Sequence, residues 1–259
     1  MSWSQHLAPM ILTIVLWWGS TGIIAMLVGR APKTYPRLII LSSLLGLAGL
    51  ATLFALREIT SLSSAFASLI AALAVWGWIE VTFLTGKITG PSVARPAVDT
   101  ALLARASAAF TAILWHELLI AATVLLVAVA LIDQANDLGL RVLLLLWLMR
   151  SSAKINLFLG VRNLGEAFLP QHLAHLLRYM QHRRMNLLFP FSITLGSVIV
   201  WLLGTRALQA ESGFAASGYS ILATLAALAV LEHVLMVLPL QSERFWRWSL
   251  ANRQGASRP

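Results

Sequence analysis

Apolar residues fill seven stretches of the chain, and polar residues are concentrated in the short segments between them. A helix that crosses the hydrocarbon core of a bilayer needs about 20 apolar residues, and each stretch is near that length. The pattern therefore predicts an all-α, polytopic transmembrane helical bundle that forms a single integral membrane domain over residues 1–259. The predicted helices lie near residues 7–28, 38–56, 62–84, 108–132, 138–159, 187–208 and 219–238.

Lysine and arginine are distributed unevenly between the two alternating sets of connecting segments. One set carries 14 of these bases and the other carries 3. Because basic loops stay in the cytoplasm, we expect a membrane protein with an external N-terminus and a cytoplasmic C-terminus. The 14 cytoplasmic bases are Arg30, Lys33, Arg37, Lys87, Arg95, Arg105, Arg162, Arg178, Arg183, Arg184, Arg244, Arg247, Arg253 and Arg258, and the other 3 are Arg57, Arg141 and Arg206.

Residues 166–184, between the fifth and sixth predicted spans, are amphipathic. Leucine and methionine recur there near helical spacing, whereas histidine, arginine and glutamine lie largely on the other side. This pattern is typical of a helix that lies at a membrane surface. We therefore expect a cytoplasmic interfacial amphipathic helix, with a plain helical connector as the alternative. Its apolar positions are Leu169, Leu173, Leu176, Leu177 and Met180.

Composition supports a membrane protein and excludes several kinds of site. Hydrophobic residues make up 59% of the 259 positions and charged residues 11%, which leaves too little polar surface for a water-soluble globule of this size. The absence of cysteine excludes disulfides, thiol nucleophiles and cysteine-held metal clusters. The net charge of +9 comes from loop bases that would meet anionic lipid. We expect membrane lipid as a partner and no nucleic acid.

Several ionisable residues fall inside the predicted spans, where each costs roughly 2.5–3.5 kcal/mol to insert. The predicted topology places all of them within about 5–15 Å of the cytoplasmic boundary, at a rise of about 1.5 Å per residue. Groups from four helices at one depth can offset each other's burial by direct contact. They are Glu80, His116, Glu117, Arg150, Lys154, Glu232 and His233, with the amide of Asn156 beside them.

Three interpretations of this cluster remain open: a structural ion-pair network, a metal or tetrapyrrole site, and a proton or substrate path. Carboxylates and imidazoles suit iron, manganese or zinc, and a neutral histidine can also ligate the magnesium of a bacteriochlorophyll-type tetrapyrrole. Arg150, Lys154 and Asn156 would then bind the cofactor. His116 is adjacent to Glu117, and Glu232 is adjacent to His233. Metal sites on helices favour ligands that are three or four residues apart, which these pairs are not. The candidate metal ligands are Glu80, His116, Glu117, Glu232 and His233.

Several strings from about residue 75 onward resemble the PuhE family of photosynthetic complex assembly proteins. They include residues 76–86 with 88–91, Trp115-His116-Glu117 and residues 150–161 with Asn163. The similarity continues in short matches, which are Phe168-Leu169-Pro170 with His172-Leu173, Met185-Asn186 with Phe189-Pro190, Leu231-Glu232-His233, Leu238-Pro239 and Trp246-Arg247-Trp248. These strings include most of the ionisable residues within the predicted spans.

The resemblance implies a protein of phototrophic bacteria that is encoded among reaction-centre genes. It places the chain in the bacterial cytoplasmic (inner or intracytoplasmic) membrane, so that the external N-terminus would be periplasmic and the C-terminus cytoplasmic. It implies a role in assembly of the reaction centre or light-harvesting complex, or in handling bacteriochlorophyll, with subunits of those complexes as partners. We therefore expect a non-enzymatic assembly factor. The alternatives are a membrane metalloenzyme that modifies a tetrapyrrole, and a small transporter, against which the lack of internal repeats counts.

Overall fold

The computed structural model describes residues 2–91, 101–240 and 242–250, and within them it is helical with no β-strand. Seven of the eight α-helices in this described part of the chain are long and apolar enough to cross a membrane, which confirms the predicted all-α multi-pass fold. Of the predicted cytoplasmic bases, Arg95, Arg253 and Arg258 lie outside the described residues. The helices are α1 (Ala8–Val28), α2 (Tyr35–Ala55), α3 (Leu62–Leu84), α4 (Leu102–Thr111), α5 (Leu114–Leu131), α6 (Leu138–Leu159), α7 (Leu188–Gln209) and α8 (Gly213–Val237).

Helix α3 forms the centre of the bundle and packs against α1, α2, α5, α6 and α8. Helix α7 lies outside this ring and packs against α8 and α6. Small residues let α2 approach α3 closely, because a side chain at Gly49 would place its Cβ 2.6 Å from the backbone oxygen of Ala71. The central position of α3 means that a charged residue on it can meet partners from several helices.

A serine capping box at one end of α3 and a glycine at the other define where the helix begins and ends. At the start, the Ser61 hydroxyl accepts the backbone N–H of Ser64, and the Ser64 hydroxyl accepts the N–H of Ser61. At the end, Gly86 has a φ of 76°, the left-handed conformation that glycine adopts without strain. Glu80 therefore lies one turn before a well-defined helix terminus.

The fourth predicted span, near residues 108–132, is divided in the structure into α4 and α5 by a break at Ala112 and Ile113. The loop after α3 packs against the break, where a Cβ at Gly90 would lie 2.2 Å from the backbone oxygen of Thr111. The backbone N–H of His116 donates to the oxygen of Thr89, 2.9 Å away. A partner from outside the helix thus satisfies a donor in the first turn of α5.

The predicted amphipathic segment contains two 3₁₀ helices, Glu166–Phe168 and Gln171–Tyr179, in place of one continuous α-helix. A 3₁₀ helix has three residues per turn, so Leu173, Leu176 and Tyr179 share one face. All three are buried and pack in one cluster with Phe83 and Ala112. The apolar face of this segment therefore covers the end of the bundle.

The C-terminal segment Ser242–Trp246 packs back onto α1. The ring of Trp246 contacts that of Trp17 at a centroid distance of 5.7 Å, and its indole N–H donates to the backbone oxygen of Trp18. Gly22 makes this approach possible, since a Cβ there would lie 2.2 Å from the Trp248 ring. The final predicted helix also begins earlier than expected, at Gly213, where the Ser212 side chain caps its N-terminus.

Candidate functional site

Helix α6 presents two polar faces near the end of the bundle that α3 reaches at Leu84. Arg150 and Lys154 are four residues apart and share one face, and Ser152 and Asn156 share another. An offset of two residues is about 200° around a helix, so the two faces point in nearly opposite directions. We call the groups around the first face the ionic cluster and those around the second the neutral network.

In the ionic cluster, Arg150 joins α6 to both α3 and α8. Its Nη2 donates to Glu80 Oε2 over 3.3 Å, and its Nη1 lies 4.0 Å from Glu232 Oε1. Glu80 is buried, whereas Glu232 remains partly exposed. One guanidinium therefore serves two carboxylates, and the pair with Glu80 is the closer one.

A second ion pair joins α6 to α5. Lys154 Nζ donates to Glu117 Oε1, and the indole N–H of Trp147 lies 3.5 Å from Glu117 Oε2. Both charged side chains are largely shielded from solvent. Together, the two bases and three carboxylates link α3, α5, α6 and α8 at one level of the bundle.

His116 lies beside these ion pairs without bonding to them. Its side chain is fully buried, and its ring stacks on Phe83 at a centroid distance of 4.3 Å. It interacts electrostatically with Glu80 and Glu117. Neither ring nitrogen has a hydrogen-bond partner among the residues that the structure describes. The same holds for Glu80 Oε1 and Arg150 Nε, so two members of the ionic cluster and the histidine beside it have unpartnered polar atoms.

His233, one residue after Glu232, belongs to the neutral network instead. Its Nδ1 donates to the backbone oxygen of Ala229 over 2.8 Å, and its Nε2 lies 2.9 Å from the Ser152 hydroxyl. Residues adjacent on a helix diverge by about 100°, which explains why the two neighbours meet different partners. Both nitrogens of this imidazole are therefore already engaged.

Amide side chains complete the neutral network and connect α7 to α6. Asn156 Nδ2 donates to the Ser152 backbone oxygen and to the Ser192 hydroxyl. Asn186 Nδ2 donates to Asn156 Oδ1 and to the Gly160 backbone oxygen. The Asn186 side-chain oxygen accepts from the backbone N–H of Leu188 at the start of α7. Asn156 thus bonds to protein groups through both ends of its amide.

The eight residues predicted from the sequence therefore separate into two sets. Glu80, Glu117, Arg150, Lys154 and Glu232 come together with His116 beside them, while Asn156 and His233 lie on the far side of α6. Within the described ranges, no group of three histidine, aspartate or glutamate side chains is arranged to hold a metal ion. Chemically, the ionic cluster offers mutually paired charges and a buried imidazole.

Sequence reasoning missed several polar residues that contribute to this region. Ser152, Ser192 and Asn186 form much of the neutral network, and Tyr179 contributes another buried oxygen without a partner among the described residues. Ser152 and Asn156 are four residues apart and offset by two from Arg150 and Lys154. This spacing is the sequence signal that indicates a second polar face.

Comparison with known proteins identifies a family and a relative of this chain. The model of a family described as "Protein of unknown function (DUF3623)" matches residues 3–257. A protein of Rhodobacter capsulatus described as "Uncharacterized 30.4 kDa protein in puhA 5'region" is 35% identical over 242 residues, which cover 92% of this chain and 88% of the relative. The expected relation to a puh-region family is thereby confirmed. No solved structure matches the chain.

Proposed function

The chain belongs to the DUF3623 family, and we propose that it is a membrane factor for assembly of the photosynthetic reaction centre or light-harvesting complex, including the handling of bacteriochlorophyll. The observation that carries this proposal is the 35% identical relative from the puhA 5' region, which aligns along nearly the whole chain. The PuhE resemblance in the strings around Glu80, His116 and Arg150 supports it further.

The pairing of charges within the ionic cluster favours a non-enzymatic role over a tetrapyrrole-modifying metalloenzyme. The carboxylates of Glu80 and Glu117 already face the bases Arg150 and Lys154. A catalytic metal centre would need several of these oxygens to converge on one ion, and no three such side chains of the described residues are arranged to do so. In the proposed role, the cluster fixes the relative positions of four helices that a subunit or pigment would contact.

We further propose that the ionic cluster lies at the cytoplasmic end of the bundle, with subunits of the photosynthetic complexes as partners at this face. The excess of basic residues in the connecting segments supports this orientation. Single cysteines can test it, because the native chain has none. A cysteine at Ala135 should react with an impermeant reagent from the periplasm, and one at Met180 should not. The reverse labelling would overturn the orientation.

Deletion of the gene and complementation with variants test the proposed function. The deletion strain should have less of the assembled complexes, measured by their absorbance in membranes, without an altered bacteriochlorophyll intermediate. Arg150→Gln should fail to complement. Arg141→Gln is the matched control, because Arg141 is on the same helix but pairs with Asp137 in an exposed position at the other end. A normal absorbance spectrum in the deletion strain would contradict the proposal, and an accumulated chemical intermediate would favour the enzyme.

A further inference from the structure

Two charged side chains of the ionic cluster remain partly exposed although they lie within membrane-spanning helices. The side chain of Arg150 is 37% exposed and that of Glu232 is 45% exposed. Arg150 is nine residues before the end of α6, which is about 14 Å along the helix axis. Hydrocarbon does not solvate such groups, so their exposed atoms must face water or a polar cavity.

Buried polar atoms without a partner adjoin these exposed charges. Across residues 2–91, 101–240 and 242–250, the atoms of this kind are Glu80 Oε1, Arg150 Nε, both ring nitrogens of His116 and the hydroxyl of Tyr179. Tyr179 packs in the same cluster as Phe83, whose ring stacks on His116. Buried polar atoms almost always bond to protein or to ordered water. Glu80 pairs with Arg150 and interacts electrostatically with His116, so a single ligand shared by these neighbours would satisfy their unpartnered atoms.

We propose that Glu80, His116 and Arg150 enclose a water-binding site, which a cleft past Lys154 and Glu232 connects to one aqueous face of the membrane. The hydrogen-bonding inventory fits water, because Glu80 Oε1 accepts, Arg150 Nε donates and a neutral imidazole does both. A buried water typically makes about three such bonds. The site does not depend on the role in assembly proposed above.

The cleft gives His116 a property that His233 lacks. Water that reaches the stacked imidazole also admits small polar molecules to a ring nitrogen that has no hydrogen-bond partner among the described residues. On the opposite face of α6, Ser152 and Ala229 already engage both nitrogens of His233. The site thus makes one imidazole in the membrane chemically accessible and leaves the other as a structural element.

Cysteine reactivity tests whether the cleft contains water. A charged, membrane-impermeant methanethiosulfonate reacts with a thiol only where water can ionise it. Glu232→Cys has a matched control in Leu231→Cys, because Leu231 is adjacent on α8, is 50% exposed and belongs to none of the polar groups described above. We expect the thiol at position 232 to react at least 10-fold faster than the thiol at 231. Equal, slow rates at both positions would overturn the proposal.

A second pair of variants tests whether water extends to the imidazole. His116 and Ile120 lie one turn apart on α5, and both side chains are fully buried. We expect His116→Cys to be at least 10-fold more reactive than Ile120→Cys. If Glu232→Cys reacts rapidly but His116→Cys is as slow as Ile120→Cys, the water stops before the histidine and the proposed site is wrong.

Folding of each variant is checked by size-exclusion chromatography in detergent, and both thiols of a pair must label fully after denaturation. If His116→Cys does not fold, Phe83→Cys replaces it, because the Phe83 ring stacks directly on His116. Rapid labelling at position 83 relative to position 120 supports the site, and equal rates overturn it. Comparing sealed vesicles of the two orientations then identifies the face on which the cleft opens.

Discussion

The two polar faces of α6 are offset by two residues, yet the polar groups on them differ in how fully they are paired with hydrogen-bond or ion-pair partners. On the neutral face, Ser152 and Asn156 bond to protein atoms, and each imidazole nitrogen of His233 has a partner. On the ionic face, Arg150 is shared between two carboxylates, and the ring nitrogens of His116 have no hydrogen bond to any described residue. A complete network is what a structural role requires, whereas unused bonding capacity marks the face that can take a ligand.

The largest expected loss of stability comes from breaking an ion pair. Lys154→Met leaves Glu117 uncompensated in a shielded site, and we expect the free energy of unfolding to fall by about 3 kcal/mol. Equilibrium unfolding in detergent micelles measures it. The double variant Lys154→Met/Glu117→Gln should recover much of the loss, because no unpaired charge remains. Equal stability of the wild type and the single variant would show that the pair is solvated and weak.

A smaller loss is expected where the neutral network attaches α7. Asn186→Ala removes donors to Asn156 and Gly160 and an acceptor at the start of the helix, which should lower the free energy of unfolding by about 2 kcal/mol. Thr205→Ala is the control on α7, since its exposed hydroxyl bonds only within its own helix. If Asn186→Ala were no more destabilising than Thr205→Ala, the network would not hold α7.

The smallest of these expected losses of stability comes from removing a single hydroxyl. Ser152→Ala removes the group that lies 2.9 Å from His233 Nε2, and we expect a loss of about 1 kcal/mol. The same unfolding experiment measures it, with Ser151→Ala as the neighbouring control. A stability gain in Ser152→Ala would mean that the imidazole does not rely on this hydroxyl.

The sequence predicts the bundle well because apolar length alone determines which helices can span a bilayer. The cost of intramembrane charge likewise predicts that Glu80, Glu117 and Arg150 meet at one level. Other features depend on contacts between distant segments. The break between α4 and α5 follows from the approach of Gly90, and the 3₁₀ segment follows from packing against Phe83. No local pattern in the chain predicts either contact.

The division of the candidate site into two faces was partly accessible from the sequence. Two residues separate Arg150 and Lys154 from Ser152 and Asn156 on one helix. The two pairs of side chains must therefore point in nearly opposite directions. The identity of the facing helices does not follow from that spacing, and so the sequence alone groups Asn156 and His233 with the charged residues. Asn186 lies in a connecting segment, where nothing in the apolar pattern indicates that its amide is buried.

The central claim is that the residues of the ionic face are needed for assembly of the complexes, whereas those of the neutral face stabilise the fold. Its most direct test compares His116→Leu with His233→Leu for two quantities: the free energy of unfolding in detergent, and the absorbance of assembled complexes per molecule of protein in the complemented deletion strain. We predict that His116→Leu keeps stability within about 1 kcal/mol, since no protein hydrogen bond is lost, but loses assembly. His233→Leu should lose about 2 kcal/mol and keep assembly per molecule. Wild-type assembly with His116→Leu would contradict the account.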